Sequence, residues 1–270
     1  LMVFAMQMML MLVLGHSLAL TETFKKLIKK ATLFCNNTSK AAAIVTFSTL
    51  IVSFFNWGLG LIFGAIFARK VGEYATKNKI KINYPLIGAA GYSGLMIWHG
   101  GISGSAPIKI AEKGHFLEEK IGVISQAETI FSTMNIFISI TLIIILPVIM
   151  YLIGKRSKST IININEEDQI IHKEITGAEK LDHSHLLAYL FGGIILTYCF
   201  YKAIILPDYI SLKFITPNFI NLSLLGLCII LHRKFFNFLT SINEAIKGAS
   251  GILIQFPLYF GIMGIMKHAG

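Results

Sequence analysis

Apolar runs recur along this chain. Five of them, at residues 1–20, 41–69, 85–106, 129–154 and 186–206, are long enough to cross the ~30 Å hydrocarbon core of a bilayer. A shorter run occupies 217–232, and a last one, 248–266, is broken by Pro257. Inside lipid every backbone N–H and C=O must find a partner within the protein, so runs of this length predict helices. Only 14% of the residues are charged, against about 25% in an ordinary soluble domain. The expectation is an all-α polytopic membrane protein: a helical bundle with interrupted or re-entrant segments and interfacial amphipathic helices, arranged as two repeats.

The net charge of +10 does not point to nucleic acid, because the lysines cluster in the loops between apolar runs. That placement is the positive-inside signature of a membrane protein. Cys35, Cys199 and Cys228 form no Cys-x-x-Cys pair and read as buried, inert thiols. The sequence contains neither a His-Glu-x-x-His metal motif nor a phosphate-binding loop, which disfavours an ATP-driven pump. No basic region precedes the first run, so it does not resemble a cleaved signal peptide. The chain opens without Met inside an apolar run and closes at Gly270 just after another. Both ends therefore read as cut from a longer protein.

Residues 21–40 place Phe24, Leu27, Ile28, Ala31, Phe34 and Cys35 at helical spacing, with Lys25, Lys26, Lys29 and Lys30 on the other face. This predicts an interfacial helix whose lysines reach lipid headgroups. The run 41–69 is long for one span, and its middle reads Phe54-Phe55-Asn56-Trp57-Gly58-Leu59-Gly60. A polar Asn among glycines predicts an interruption, or a hairpin that re-emerges on its starting side; Gly60-x-x-x-Gly64 also suits a plain helix contact. Loop charges favour the hairpin. They divide 18 Lys/Arg against 4 if the segment turns back, and 13 against 9 if it crosses.

The expected organisation has three parts. Residues 1–154 form a first membrane half: a span, the interfacial helix 21–40, the broken segment 41–69, a Gly/Ser-rich span 85–106 and the span 129–154. Residues 155–185 form a cytoplasmic linker. Residues 186–270 begin a second half, with spans 186–206 and 217–232, an interfacial helix 233–247 and a broken segment 248–266. Broken segments at matching positions of two halves point to the binding site of a secondary carrier.

The chemistry concentrates in Gly91–Pro107, with five Gly and three Ser between Gly91 and Ser105. Gly costs ~1 kcal/mol against Ala inside a soluble helix, so this stretch is poised to unwind. Unwound, its N–H groups and hydroxyls could hold a carboxylate without a fixed charge; the alternative is a surface of small residues for close helix packing. The titratable side chains well inside the clear spans are essentially His16 and His99, with no Asp or Glu there. His99, Gly100, Gly101, Ser103, Gly104, Ser105, Asn56 and Ser93 are the candidate substrate-binding residues. No catalytic residue, metal site or cofactor is expected, and the coupling ion, H+ or Na+, stays open.

Four stretches carry a resemblance: Phe55-Asn56-Trp57-Gly58-Leu59-Gly60-Leu61, Tyr92-Ser93-Gly94, Trp98-His99-Gly100-Gly101-Ile102-Ser103-Gly104-Ser105 and Gln255-Phe256-Pro257-Leu258-Tyr259. They are similar to the bacterial short-chain fatty acid transporter family, within the ion transporter superfamily. The resemblance implies a multi-pass protein of the bacterial inner membrane that takes up acetoacetate, butyrate or similar small carboxylates. The family pattern also implies a further span before Leu1 and a second Ser/Gly-rich block after Gly270. The expected partners are the carboxylate and the lipid bilayer, with a homo-oligomer open.

Two other readings stand beside it. One is an inactive fragment of such a carrier. The other is an intramembrane serine protease, because Gly-x-Ser-Gly occurs at Gly91–Gly94, Gly101–Gly104 and Gly248–Gly251. Three copies argue for small-residue composition, and no later span carries a well-placed His to activate a serine. The charge asymmetry predicts that cysteines introduced at positions 69, 156 and 233 label from the cytoplasm, and at 113 and 213 from the periplasm. Periplasmic labelling at 156 with protection at 113 would invert the orientation.

Overall fold

The computed structural model describes residues 2–164, 177, 179–206 and 212–269. Its helices are α1 (Met2–Ala19), α2 (Glu22–Thr32), α3 (Thr38–Phe55), α4 (Trp57–Lys77), α5 (Tyr84–Tyr92), α6 (Leu95–Trp98), α7 (Ser105–Ile110), α8 (Glu118–Ile121), α9 (Thr133–Arg156), α10 (Glu179–Asp182), α11 (His185–Phe200), α12 (Pro217–His232) and α13 (Phe235–His268). A π-helical turn, Tyr201–Ile205, continues α11. Among the described residues, five segments are long and apolar enough to cross a bilayer: Met2–Ala19, Thr38–Phe55, Thr133–Arg156, His185–Ile205 and Phe235–Met266. The chain is an all-α polytopic membrane protein.

The run 41–69 folds back on itself at Asn56. Gly60 lies against Ser53 and Gly64 against Thr49, a pairing that only two antiparallel helices produce. Glycine is needed at both places, because a Cβ at Gly60 would collide with Ser53 Oγ and one at Gly64 with the Gly91 carbonyl. The apolar arms, residues 41–55 and 57–68, measure ~22 and ~18 Å at 1.5 Å per residue. Their charged flanks lie together, far from Asn56. There Arg69 Nε and Lys70 Nζ meet the buried Glu73 carboxylate at 3.1 and 2.5 Å.

Helix α9 runs antiparallel to α3, with Gly154 against Ser39 and Asn135 near the hairpin tip. At the basic end Thr38 Oγ1 meets Ser159 Oγ at 2.7 Å, and Ile82 pairs with Thr160 in an isolated bridge. Helix α1 lies parallel to α12. Asn221 Nδ2 donates to Gln7 O (2.9 Å), the Cys228 thiol to Leu14 O (3.2 Å), and His232 Nε2 meets Ser17 O (2.9 Å). Ser17 also meets Ser241 of α13 at 2.6 Å. The amphipathic α2 crosses the base of the hairpin, its Phe24 ring 6.0 Å from that of Phe63 and its Ile28 buried. Lys40, Arg69, Lys155 and the α2 lysines thus share one end of the bundle. Lys109 and Glu112 belong to the other, paired at 2.8 Å.

Two expected elements differ. Residues 85–106 do not form one span, because the chain turns at Ser93–Gly94 and again between His99 and Gly104, dividing it into α5, α6 and the start of α7. The glycines leave too little intrinsic helix preference to bridge those turns. Conversely, 233–247 and 248–266 are not an interfacial helix followed by a break. They form the single 34-residue α13, with Pro257 inside it. One proline removes one helical hydrogen bond, and the helix continues through it. Residues 165–176 and 178 of the expected linker lie outside the described residues.

The hairpin makes a quantitative demand on its glycines. Gly64→Val should lower stability by about 1–3 kcal/mol, the usual cost of overpacking. Gly88→Ala, which meets nothing within 4 Å, should be neutral or slightly stabilising. Thermal unfolding in detergent micelles would compare the two, and equal midpoints would refute the close packing.

Candidate functional site

The site is built where α3 gives way to α4. Asn56 leaves the helical region (φ −149°, ψ 122°) while its own N–H still donates to Val52 O at 3.0 Å, closing the last turn of α3. Its side chain then caps α4: Oδ1 accepts the Leu59 N–H at 2.8 Å. A helix start leaves its first N–H groups without intrahelical partners, and Asn is among the residues best able to supply one. Asn56 is only 3% exposed, so this cap operates out of contact with water.

The second cap comes from 46 residues along the chain. Ser103, fully buried, accepts the Trp57 N–H at 2.8 Å through Oγ. The Ile102 N–H donates to Phe54 O at 2.8 Å, joining the Gly/Ser turn to the hairpin tip by a backbone bond as well. Gly101 is required by that approach, because a Cβ there would collide with the Phe54 carbonyl. From the other side Asn135 Nδ2 donates to Gly100 O (2.9 Å) and Ile130 O (2.7 Å). Trp57 and Trp98 meet edge to face, ring centroids 5.8 Å apart. The turn from His99 to Gly104 is therefore held between the hairpin tip and the start of α9.

Of the residues singled out in the sequence, Asn56, Gly100, Gly101 and Ser103 come together at this tip. Gly104 caps α7, and Ser105 opens it half-buried. His99 stands apart: its side chain is exposed and its ring lies edge-on to Trp98 at 5.7 Å. Ser93 ends α5 and donates its hydroxyl to Ala90 O at 2.7 Å. Lys109 is paired with Glu112 and lies over the Phe4 ring.

The sequence reading missed a row of hydroxyls leading to the tip. Thr46, Thr49 and Ser53 are fully buried, and none of the three hydroxyls has a hydrogen-bond partner. Asn56 Nδ2 and Trp57 Nε1 are buried and unpartnered too. The signal was present as polar residues at 46, 49, 53 and 56, the spacing of one helix face. Each of these atoms can donate a hydrogen bond, and a buried donor left unpaired costs ~1–3 kcal/mol. Ser103 adds another, since its hydroxyl accepts from Trp57 and keeps its own proton to give. The arrangement offers neutral donors suited to an anion.

No group of three His, Cys, Asp or Glu side chains able to hold a metal occurs among the described residues. The three cysteines are buried and free. Burial pushes the Cys35 thiol up to about 12, which keeps it protonated and unreactive at neutral pH.

A family model described as "Short chain fatty acid transporter" matches residues 1–270. The chain belongs to that family. Among curated relatives it is similar to a protein of Escherichia coli (strain K12), 32% identical, and to one of Haemophilus influenzae (strain Rd), 33% identical, each named "Putative short-chain fatty acid transporter". The matches cover 100% and 99% of this chain but 61% of each relative, so the chain spans about three fifths of their length. No solved structure matches.

The caps in this family member are separable by mutation. Ser103→Ala leaves the buried Trp57 N–H without an acceptor and should cost about 1–3 kcal/mol. Ser105→Ala removes no described hydrogen bond and should change stability by less than ~0.5 kcal/mol. Unfolding midpoints would show the difference; equal effects would mean that the Ser103–Trp57 bond does not hold the tip.

Proposed function

We propose that the chain is a membrane-embedded part of a secondary transporter that moves short-chain carboxylates, of the acetoacetate or butyrate kind, across the bacterial inner membrane. The observation that carries this reading is the hairpin tip. There a broken helix, capped by Asn56 and Ser103, stands at the end of a row of buried, unpartnered donors. A bare carboxylate in a low-dielectric site is strongly unfavourable unless several donors replace its water. The tip offers neutral ones, whose modest hold suits a protein that must also release its cargo. With no carboxylate in the apolar runs, coupling falls to the substrate's own carboxyl group, to His99, or to Na+ held by backbone and hydroxyl oxygens. The positive-inside rule would place the basic end in the cytoplasm.

The serine-protease alternative finds no support at its own motifs. Ser93 and Ser250 donate to backbone carbonyls of the preceding turn, and Ser103 caps α4. Ser17 and His232 do meet at 3.2 Å, but the same His232 Nε2 faces Ser17 O at 2.9 Å. A nitrogen against a carbonyl oxygen carries the proton, so it cannot act as base toward Ser17.

The test uses hydroxyls that hold nothing in the fold. Thr49→Val and Ser53→Ala should leave the unfolding midpoint unchanged or higher, yet lower butyrate uptake by roughly tenfold or more, the loss of one charge-assisted hydrogen bond or two. Uptake would be measured in proteoliposomes carrying the chain and, separately, the chain extended with the remaining part of the Escherichia coli relative. His99→Gln would separate binding from proton coupling. Normal uptake by the Thr49, Ser53 and Ser103 variants would move the site elsewhere. Uptake by the extended protein alone would make the chain an inactive fragment.

A further inference from the structure

Outside the hairpin tip, two clefts meet at the basic end of the bundle. One, of about 330 Å³, lies between α2 and the α12–α13 corner and is lined by Glu22, Thr23, Lys26, Lys30 and Arg233. The other, about 630 Å³, continues past Leu27 and Lys30; Ala31, Leu33, Phe34 and Ile44 make its mainly apolar wall, with Asn36 and Lys40 also lining it. Leu27 and Lys30 line both, so a cationic hollow adjoins a mainly apolar one. From this adjacency we infer that the paired clefts are a binding site for one anionic phospholipid, its phosphate between Lys26, Lys30 and Arg233 and an acyl chain along Leu27, Phe34 and Ile44.

Charge sets the occupant. Three exposed cations converge with one carboxylate, and Glu22 is already 3.5 Å from Lys25, so the hollow carries excess positive charge. An anion relieves that repulsion. Arg233 ends α12 in the left-handed region (φ 64°), a conformation that favours glycine. An arginine there brings a guanidinium with planar, paired donors that match a phosphate. A free phosphate would fill the first cleft and leave Leu27, Leu33 and Phe34, all more than half exposed, without cover. A lipid covers both, at the depth where headgroups meet chains. It would tie α2 to the corner of α12 and α13, elements far apart in sequence.

The experiment uses the whole chain in neutral detergent micelles, supplemented with dioleoylphosphatidylglycerol, with dioleoylphosphatidylcholine, or with inorganic phosphate and no lipid. Phosphatidylglycerol should raise the unfolding midpoint by ~4 °C and appear as a one-to-one adduct in native mass spectra. Lys30→Gln with Arg233→Gly, which removes two charges and keeps the turn permitted, should abolish both effects. Lys77→Gln with Lys81→Gln, on the same end but outside the cleft, should keep them. An equal rise with phosphatidylcholine, or one that survives Lys30→Gln/Arg233→Gly, overturns the proposal. A rise with inorganic phosphate alone replaces the lipid by a small anion and overturns it equally.

Discussion

Everything distinctive in this fold depends on ending a helix where water cannot reach the freed backbone. The Asn56 side chain satisfies the Leu59 N–H, and Ser103 satisfies the Trp57 N–H. A helix broken inside lipid is tolerated only when protein groups take over the lost bonds. Because one of the two acceptors comes from the distant Gly/Ser turn, the break and the turn need each other. Without Ser103 the tip lacks a partner, and without the tip Ile102 and Ser103 have nothing to hold.

The glycines serve that union by allowing approach. In lipid, apolar area gives little drive for helix association, so close van der Waals contact and interhelical hydrogen bonds carry more of the load. Gly60, Gly64, Gly91 and Gly94 let α3, α4, α5 and the start of α6 meet so closely that any Cβ would collide. The same seam buries Thr49 and Ser53 with their hydroxyls unpartnered. A protein built only for stability would place alanine or valine there.

Charge then fixes which end is which. The basic flanks of both hairpin arms, the lysines of α2 and the end of α9 gather on one side, and Glu73 neutralises part of the excess near Arg69 and Lys70. The clefts at α2 lie on that side as well. The hairpin is thus anchored at its base by charge and at its tip by hydrogen bonds, two interactions that answer to different surroundings.

Much of this was legible in the sequence. The apolar runs and lysine-rich loops specify a polytopic helical protein, since bilayer thickness sets span length and the positive-inside rule sorts the loops. The chain reversal at Asn56 could be read from the polar residue among glycines and from the loop charges. The Trp-His-Gly-Gly and Ser/Gly motifs pointed to the family. Tertiary structure decided the rest. Which residues of the Gly/Ser block meet the tip depends on turns that no periodicity encodes: Ser103 reaches Trp57, while the neighbouring His99 faces outward. The continuity of α13 through Pro257 was equally invisible, because one proline marks a break only where other groups stand ready to replace the lost hydrogen bond. The sequence states what each segment can do alone; which polar groups end up buried without partners is settled only when segments meet.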